Sequence, residues 1–159
     1  MGGSKKSKKR DLKLPQLASQ LNPREIINKY NPDAFYEMNP RWDFNMCDTK
    51  EWKFDKAYMG DLFWSEILPR MKAWEKMKWK DIFADTKNNH PIKIPDLTKK
   101  ARDRLDEMHI EAEAVYSLRF TGTHRFYGLI DDGTFHIIWF DKDHGDNEDC
   151  VCRCHKKYT

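Results

Sequence analysis

Apolar and polar positions change rhythm along this chain, and each change predicts a different element. Over residues 61–83 the apolar side chains Trp64, Ile67 or Leu68, Met71, Trp74 and Met77 recur at three- and four-residue spacing. That spacing lays one apolar stripe along a helix. Asp61 is placed to cap it, and Pro69 calls for a kink or for a helix restarting with Pro69 in its first turn. The aromatic stripe reads as core. A second helix is expected over 98–109, with Thr98 as N-cap and Leu97, Ala101, Leu105 and Met108 on one face. Its outer face mixes Asp103, Asp106 and Glu107 with Arg102 and Arg104, as solvated helices do.

From Val115 the period falls to two. Tyr116, Leu118 and Phe120 alternate with Ser117 and Arg119, and Thr121-Gly122-Thr123 is a turn or bulge candidate. A second strand covers His124–Ile130 and a third Phe135–Asp141, with Asp132-Gly133 between them as a strong hairpin signal. Cys150–His155 could add a short last strand. Before the helices, Pro15, Pro23, Pro32 and Pro40 break any long element, while Trp42, Phe44 and Met46, then Trp52 and Phe54, alternate as short extended pieces. Asn22 and Pro23 can open a short helix through Tyr30, and residues 84–95 read as a loop closed by two prolines. The expectation is therefore an α+β chain: two helices packed on one face of a three- to four-stranded antiparallel sheet, with a proline-rich N-terminal extension. Residues 1–13 form a disordered basic tail, 14–60 an extension wrapping the core, and 61–159 the α+β domain.

Composition narrows the class. A 13% aromatic share in 159 residues can build a core large enough to offset ordering entropy. No run of 18 apolar residues is present and no apolar segment follows the N-terminal lysines, so neither a membrane span nor a secretory signal is expected. The net charge of +3 is misleading: residues 1–13 alone carry +5, six bases against Asp11, and the rest sums to −2. Any nucleic-acid surface must then come from local clustering. The most basic stretch of the body is the first helix, with Lys72, Lys76, Lys78 and Lys80.

Four cysteines without a secretory signal suit a reduced, cytoplasmic protein. Cys150, Cys152 and Cys154 share one side of an extended segment, with His144 and His155 nearby. Three ligands on one strand surround a tetrahedral ion badly, and the spacing is not that of structural zinc sites. Free thiols in an edge strand, with no metal and no cofactor, are expected.

The other candidate chemistry is a set of Arg, His, Tyr and Glu groups on the strands. Arg119 and Arg125 suit phosphate, since a guanidinium donates two parallel hydrogen bonds to one anion. Metal-free RNA cleavage needs a base, cations on the phosphorane and an acid for the leaving oxygen. The plainer alternative pairs both arginines with the acids of 131–149.

Tyr116-Ser117-Leu118-Arg119-Phe120, three residues, then His124-Arg125-Phe126-Tyr127 resembles the strand pair of RelE/YoeB-like bacterial toxins of the RelE/ParE superfamily. The likeness covers about 95–159 and includes the helix–helix–sheet order. It implies a ribosome-dependent mRNA endonuclease of a toxin–antitoxin pair. The catalytic roles would fall on Arg125 and Arg119, on Glu111 or Glu113 as base, and on His155 or Tyr158. Lys76, Lys80, His124, Lys156 and Lys157 would contact nucleic acid, and RNA, a ribosome or an antitoxin protein would be the partner. Residues 14–94 have no counterpart in those toxins. The run from Ser117 to His144 is also similar to uncharacterised bacterial proteins, which implies no activity. The alternative is a non-catalytic binding module docking on a protein or nucleic-acid partner.

Overall fold

The computed structural model describes residues 35–145 and 149–153. Its frame is a mixed five-stranded sheet. The strands are β1 (Arg41–Asp43), β2 (His90–Lys93), β3 (Ala114–Arg119), β4 (Arg125–Asp131) and β5 (Thr134–Asp141), in the order β1-β5-β4-β3-β2. All neighbours are antiparallel except β1, which runs parallel to β5. The helices are α1 (Lys56–Met59), a π-helical turn (Phe63–Ile67) running into α2 (Leu68–Trp74), α3 (Trp79–Phe83) and α4 (Lys99–Glu107).

The α+β class holds, with four departures from the expectation. The helix expected over 61–83 is split into the π turn, α2 and α3, and Trp64 and Met77 of its apolar stripe are exposed, not core. The sheet has five strands, because the proline-bounded segment at 90–93 pairs with β3. An edge strand tolerates Pro91, whose missing N–H is a loss only where a neighbour would accept it. The sheet is not purely antiparallel, because Trp42 and its neighbours pair with β5 as a parallel strand. The helices do not share one face. One apolar cluster joins α2 and α3 to Tyr116, Leu118, Phe126 and Phe140. The other joins α4 to Val115, Tyr127, Leu129 and Trp139. Strands covered on both faces carry apolar side chains at adjacent positions, which blurs a period of two.

A bulge explains the densest apolar run. Tyr127 pairs with Trp139 and Gly128 with Ile137, leaving Ile138 as the extra residue. Ile138 and Trp139 consequently both enter the α4-side cluster. Gly128 faces the bulge so closely that an added Cβ would lie 2.2 Å from the His136 carbonyl oxygen. The Asp132-Gly133 hairpin forms as expected, with φ of 47° and 78°, the positive pair that a type I′ turn requires.

Pro69 opens α2 directly after the π turn. A proline has no N–H to return to the carbonyl four residues earlier, and the wider π turn absorbs that gap. Thr98 caps α4 by accepting the Ala101 N–H at 3.3 Å. Of the expected last strand, Cys152 makes one bridge with Leu97, and Cys154 and His155 lie outside the described residues. The tail 1–13, the short helix proposed after Asn22 and the first part of the extension also lie outside them. Among the described residues no helix is long and apolar enough to cross a membrane.

Candidate anion-binding site at the β3–β4 hairpin

The β3–β4 register places Arg119 directly opposite Arg125. Directly opposed residues of an antiparallel pair point to the same face, so the two guanidinium groups share one face, that of Val115 and Tyr127. Arg125 is 8% exposed and Arg119 is half-buried. Two like charges so placed disfavour each other. Burial, then the Arg119 charge, lowers the Arg125 guanidinium pKa from its ordinary value.

Neutral groups hold both side chains. Arg125 Nη1 donates to the carbonyl oxygens of Gly122 at 2.8 Å and His124 at 3.1 Å, closing the turn between the strands. Arg119 Nη1 donates to Asn88 Oδ1, and its backbone N–H donates to Asn89 Oδ1 at 2.9 Å. Asn89 is itself buried and fixed by a 3.1 Å bond to the Ile82 carbonyl. Neither arginine is ion-paired with a carboxylate among the described residues. Pairing with the described acids of 131–149 is thus not what positions them; Asp146 and Glu148 lie outside the described residues. Asp141, the residue opposite Arg125 on β5, instead accepts backbone N–H groups from Val151 at 3.1 Å and Asp143 at 3.0 Å. Burial pushes its carboxyl up to about 6 against those hydrogen bonds.

The turn itself is built from Phe120 N–H donating to His124 O at 3.0 Å and His124 N–H donating to Thr121 O at 2.8 Å, with Gly122 at φ 47°. On the α2 side of this turn, His124 Nδ1 lies 2.6 Å from Glu66 Oε2. Thr121 Oγ1 donates to the same oxygen at 2.7 Å. The Thr121 hydroxyl first, then His124, holds the Glu66 carboxyl below its usual range against partial burial. Arg70 Nη2 donates to the Phe120 carbonyl at 2.9 Å.

The other candidates are distributed elsewhere. Glu111 and Glu113 are exposed and precede β3, whereas Arg119 ends it. A six-residue strand separates the two positions by about 20 Å. The structure therefore does not gather a glutamate of that pair with the arginines. Lys80, with Lys78, grips Glu37 at 2.8 and 2.9 Å, and the two lysines hold the Glu37 carboxyl down to about 2. Lys76 is exposed in the turn after α2. His155, Tyr158, Lys156 and Lys157 lie outside the described residues. Behind Arg125, Tyr127 Oη sits 2.8 Å from His144 Nδ1 and 3.6 Å from Cys152 Sγ in a buried polar cluster. No group of three His, Cys, Asp or Glu side chains poised for a metal occurs among the described residues.

Glu66, Arg70, Thr121, Asn88 and Asn89 were not among the residues that the sequence marked as site candidates. Glu66 and Arg70 sit inside a helical pattern that reads as core plus solvated face. The Asn88-Asn89 doublet in a loop was the one available signal, since Asn side chains bond well to backbone and guanidinium groups. Comparisons with family models, curated proteins and solved structures gave no match.

Proposed function

We propose that this protein binds RNA through its phosphates, with Arg119 and Arg125 as the shared clamp. The observation that carries the reading is the opposed pair of arginines on one face, neither ion-paired with a carboxylate among the described residues. Two guanidinium groups held by carbonyls and an asparagine repel each other, and an anion between them relieves that repulsion. The fork of each guanidinium matches a phosphodiester better than a monovalent ion does. The likeness of Tyr116–Arg119 and His124–Tyr127 to the strand pair of RelE/YoeB-like toxins favours RNA among polyanions. A ribosome or an antitoxin-like protein as partner belongs to the same reading. Residues 111 and 113 are remote from the clamp, so the reading concerns binding and leaves the glutamate base out.

Fluorescence anisotropy with an end-labelled 12-nucleotide single-stranded RNA tests it. Arg119→Gln should weaken binding about tenfold, the loss of one charge-assisted contact of about 1.5 kcal/mol. Arg125→Lys keeps the charge, loses the fork and should weaken binding severalfold. Unchanged affinity in both variants, with folding intact by circular dichroism, would refute the clamp. A non-catalytic module docking on a protein is favoured instead if neither RNA nor DNA binds.

A further inference from the structure

The π turn leaves an aromatic surface that the described residues do not cover. Trp64, within that turn, is 68% exposed and Phe44 is 45% exposed. The two end one row of rings: Phe44 meets Phe54 at 5.3 Å between centroids, Phe54 meets Phe63 at 5.9 Å, and Phe63 meets Trp64 at 4.9 Å. Phe54 and Phe63 also pack against the α2-side cluster, so core contacts hold the row in place. Between α1 and the π turn the surface dips into a groove of about 240 Å³, lined by Phe54, Met59, Phe63 and Trp64 with Asp55 and Lys56. That is below the about 300–1,000 Å³ of a small-molecule site and suits a few side chains of a docked segment. A tryptophan this exposed beside further rings marks an interaction surface.

The chain itself supplies a segment that fits. Phe35, the first described residue, is buried in the α2-side cluster together with Met59 of the groove. The residues before it therefore leave from the layer that holds the groove. Residues 35–60 already wrap the core, through β1, Phe35 and Trp52. Ahead of them, Leu14, Leu17, Ala18 and Leu21 recur at i, i+3, i+4 and i+7. That spacing sets four apolar side chains on one side of a helix, the pattern that apolar grooves take up, and Pro15 is tolerated in a first helical turn. Residues 22–34 span up to about 40 Å when extended. A compact domain of this size has a radius of gyration of about 13 Å, so the groove lies within their reach. Charge agrees. Asp55 and Asp61 outnumber Lys56 around the groove, while residues 1–13, directly before Leu14, carry +5.

We propose that residues 14–21 of this chain dock in the groove between α1 and the π turn, with Leu14, Leu17 and Leu21 covering Trp64 and Phe63. The contact is intramolecular. A linker of this length supplies an effective concentration of about 1 mM, so a contact with a Kd of about 0.25 mM is docked about 80% of the time. The groove lies on the α2 side of the sheet and the arginine pair on the α4 side, so docking leaves the arginines open.

Hydroxyl-radical footprinting of the full chain, read residue by residue by mass spectrometry, tests this. Trp64 should be oxidised about fivefold more slowly in the wild type than in Leu14→Glu/Leu17→Glu/Leu21→Glu, the ratio set by docking about 80% of the time. Met77, exposed on another turn, should react equally in both. Reciprocally, Trp64→Glu should speed amide hydrogen exchange over residues 14–21 about fivefold while leaving the β4–β5 ladder unchanged. Trp64 lies outside both apolar clusters, so this variant keeps the fold, and its exchange decides if the leucine variant fails to fold. Equal oxidation of Trp64 in the wild type and the leucine variant overturns the proposal. So does unchanged exchange over residues 14–21 in Trp64→Glu. Protection of Trp64 that is lost on dilution, with a dimer mass by light scattering, also overturns it and gives the groove to a second copy.

Discussion

Replacing Arg119 by glutamine removes one of two opposed cations and leaves a donor within reach of Asn88 Oδ1. Opposed Cβ atoms in an antiparallel pair are about 5 Å apart. Guanidinium charges about 6–8 Å apart repel by about 0.5–2.8 kcal/mol for effective dielectric constants of about 80 to 20. Arg119 is half-buried, so solvent screening favours the lower part of that range. Glutamine keeps one hydrogen bond to Asn88 and loses side-chain packing, which offsets part of the gain. The net expectation is a stabilisation of about 0.5–1 kcal/mol, which is a rise in Tm of about 1–4 °C for a domain of this size. Salt should shrink the difference, since the Debye length at 0.15 M is about 8 Å, comparable to the charge separation. Thermal and urea unfolding at 20 and 500 mM salt, beside RNA affinity for the same samples, measures both sides of the trade. A variant that is more stable and binds RNA more weakly is a functional cation held at a cost. A variant that is destabilised with undiminished RNA affinity would refute the reasoning, because Arg119 would then serve the fold.

Other perturbations follow from the same geometry. The folded-state pKa of Asp141, about 6, lies above its unfolded value, so its contribution is present below about pH 4 and lost as pH rises through about 6. Asp141→Asn keeps an acceptor for the Val151 or Asp143 N–H and should raise stability at pH 7 by about 1 kcal/mol while flattening the pH 4–6 dependence. Urea titrations across that window check this, and an unchanged slope counts against it. Asp48, fully buried, accepts Arg104 through two bonds of 2.7 and 2.8 Å and the Trp139 indole at 3.0 Å. Asp48→Ala leaves Arg104 to its exposed partner Glu107 at 2.7 Å and takes the acceptor from the Trp139 indole, and should cost about 3 kcal/mol in urea unfolding. A loss below 1 kcal/mol would mean that water replaces the carboxylate. Gly128→Ala drives a Cβ to 2.2 Å from the His136 carbonyl and 2.8 Å from the Phe135 ring, and should cost at least about 1–3 kcal/mol. A neutral result would show that the β4–β5 bulge yields.

Much of the fold was legible because its signals are local. Thr98 as N-cap, the two positive-φ residues at Asp132-Gly133 and the restart at Pro69 each depend on a few neighbouring residues. What escaped depends on pairing across long sequence distances. Arg41–Asp43 joins β5 from more than ninety residues away, and His90–Lys93 becomes a strand because β3 has an open edge. The sequence pattern in β5 was misleading for a physical reason: with Ile138 bulged, Ile138 and Trp139 face the same way, which no period-two count can show. The candidate site was half legible. Arginine type and spacing marked Arg119 and Arg125, but their opposition is set by a register that follows from the turn at 121–123. Glu66 and Arg70 became visible only when the π turn laid them against that hairpin, since their spacing alone describes an ordinary helix face.

The central claim is that Arg119 and Arg125 together neutralise RNA phosphates, and the salt dependence of RNA affinity tests it most directly. For single strands, each phosphate contact contributes about −0.7 to the slope of log K against log salt. Arg119→Gln combined with Arg125→Gln should make the slope less steep by about 0.7, the loss of the one phosphate the pair shares, with weaker binding at every salt concentration. A slope equal to that of the wild type, in a double variant that circular dichroism shows to be folded, would contradict it.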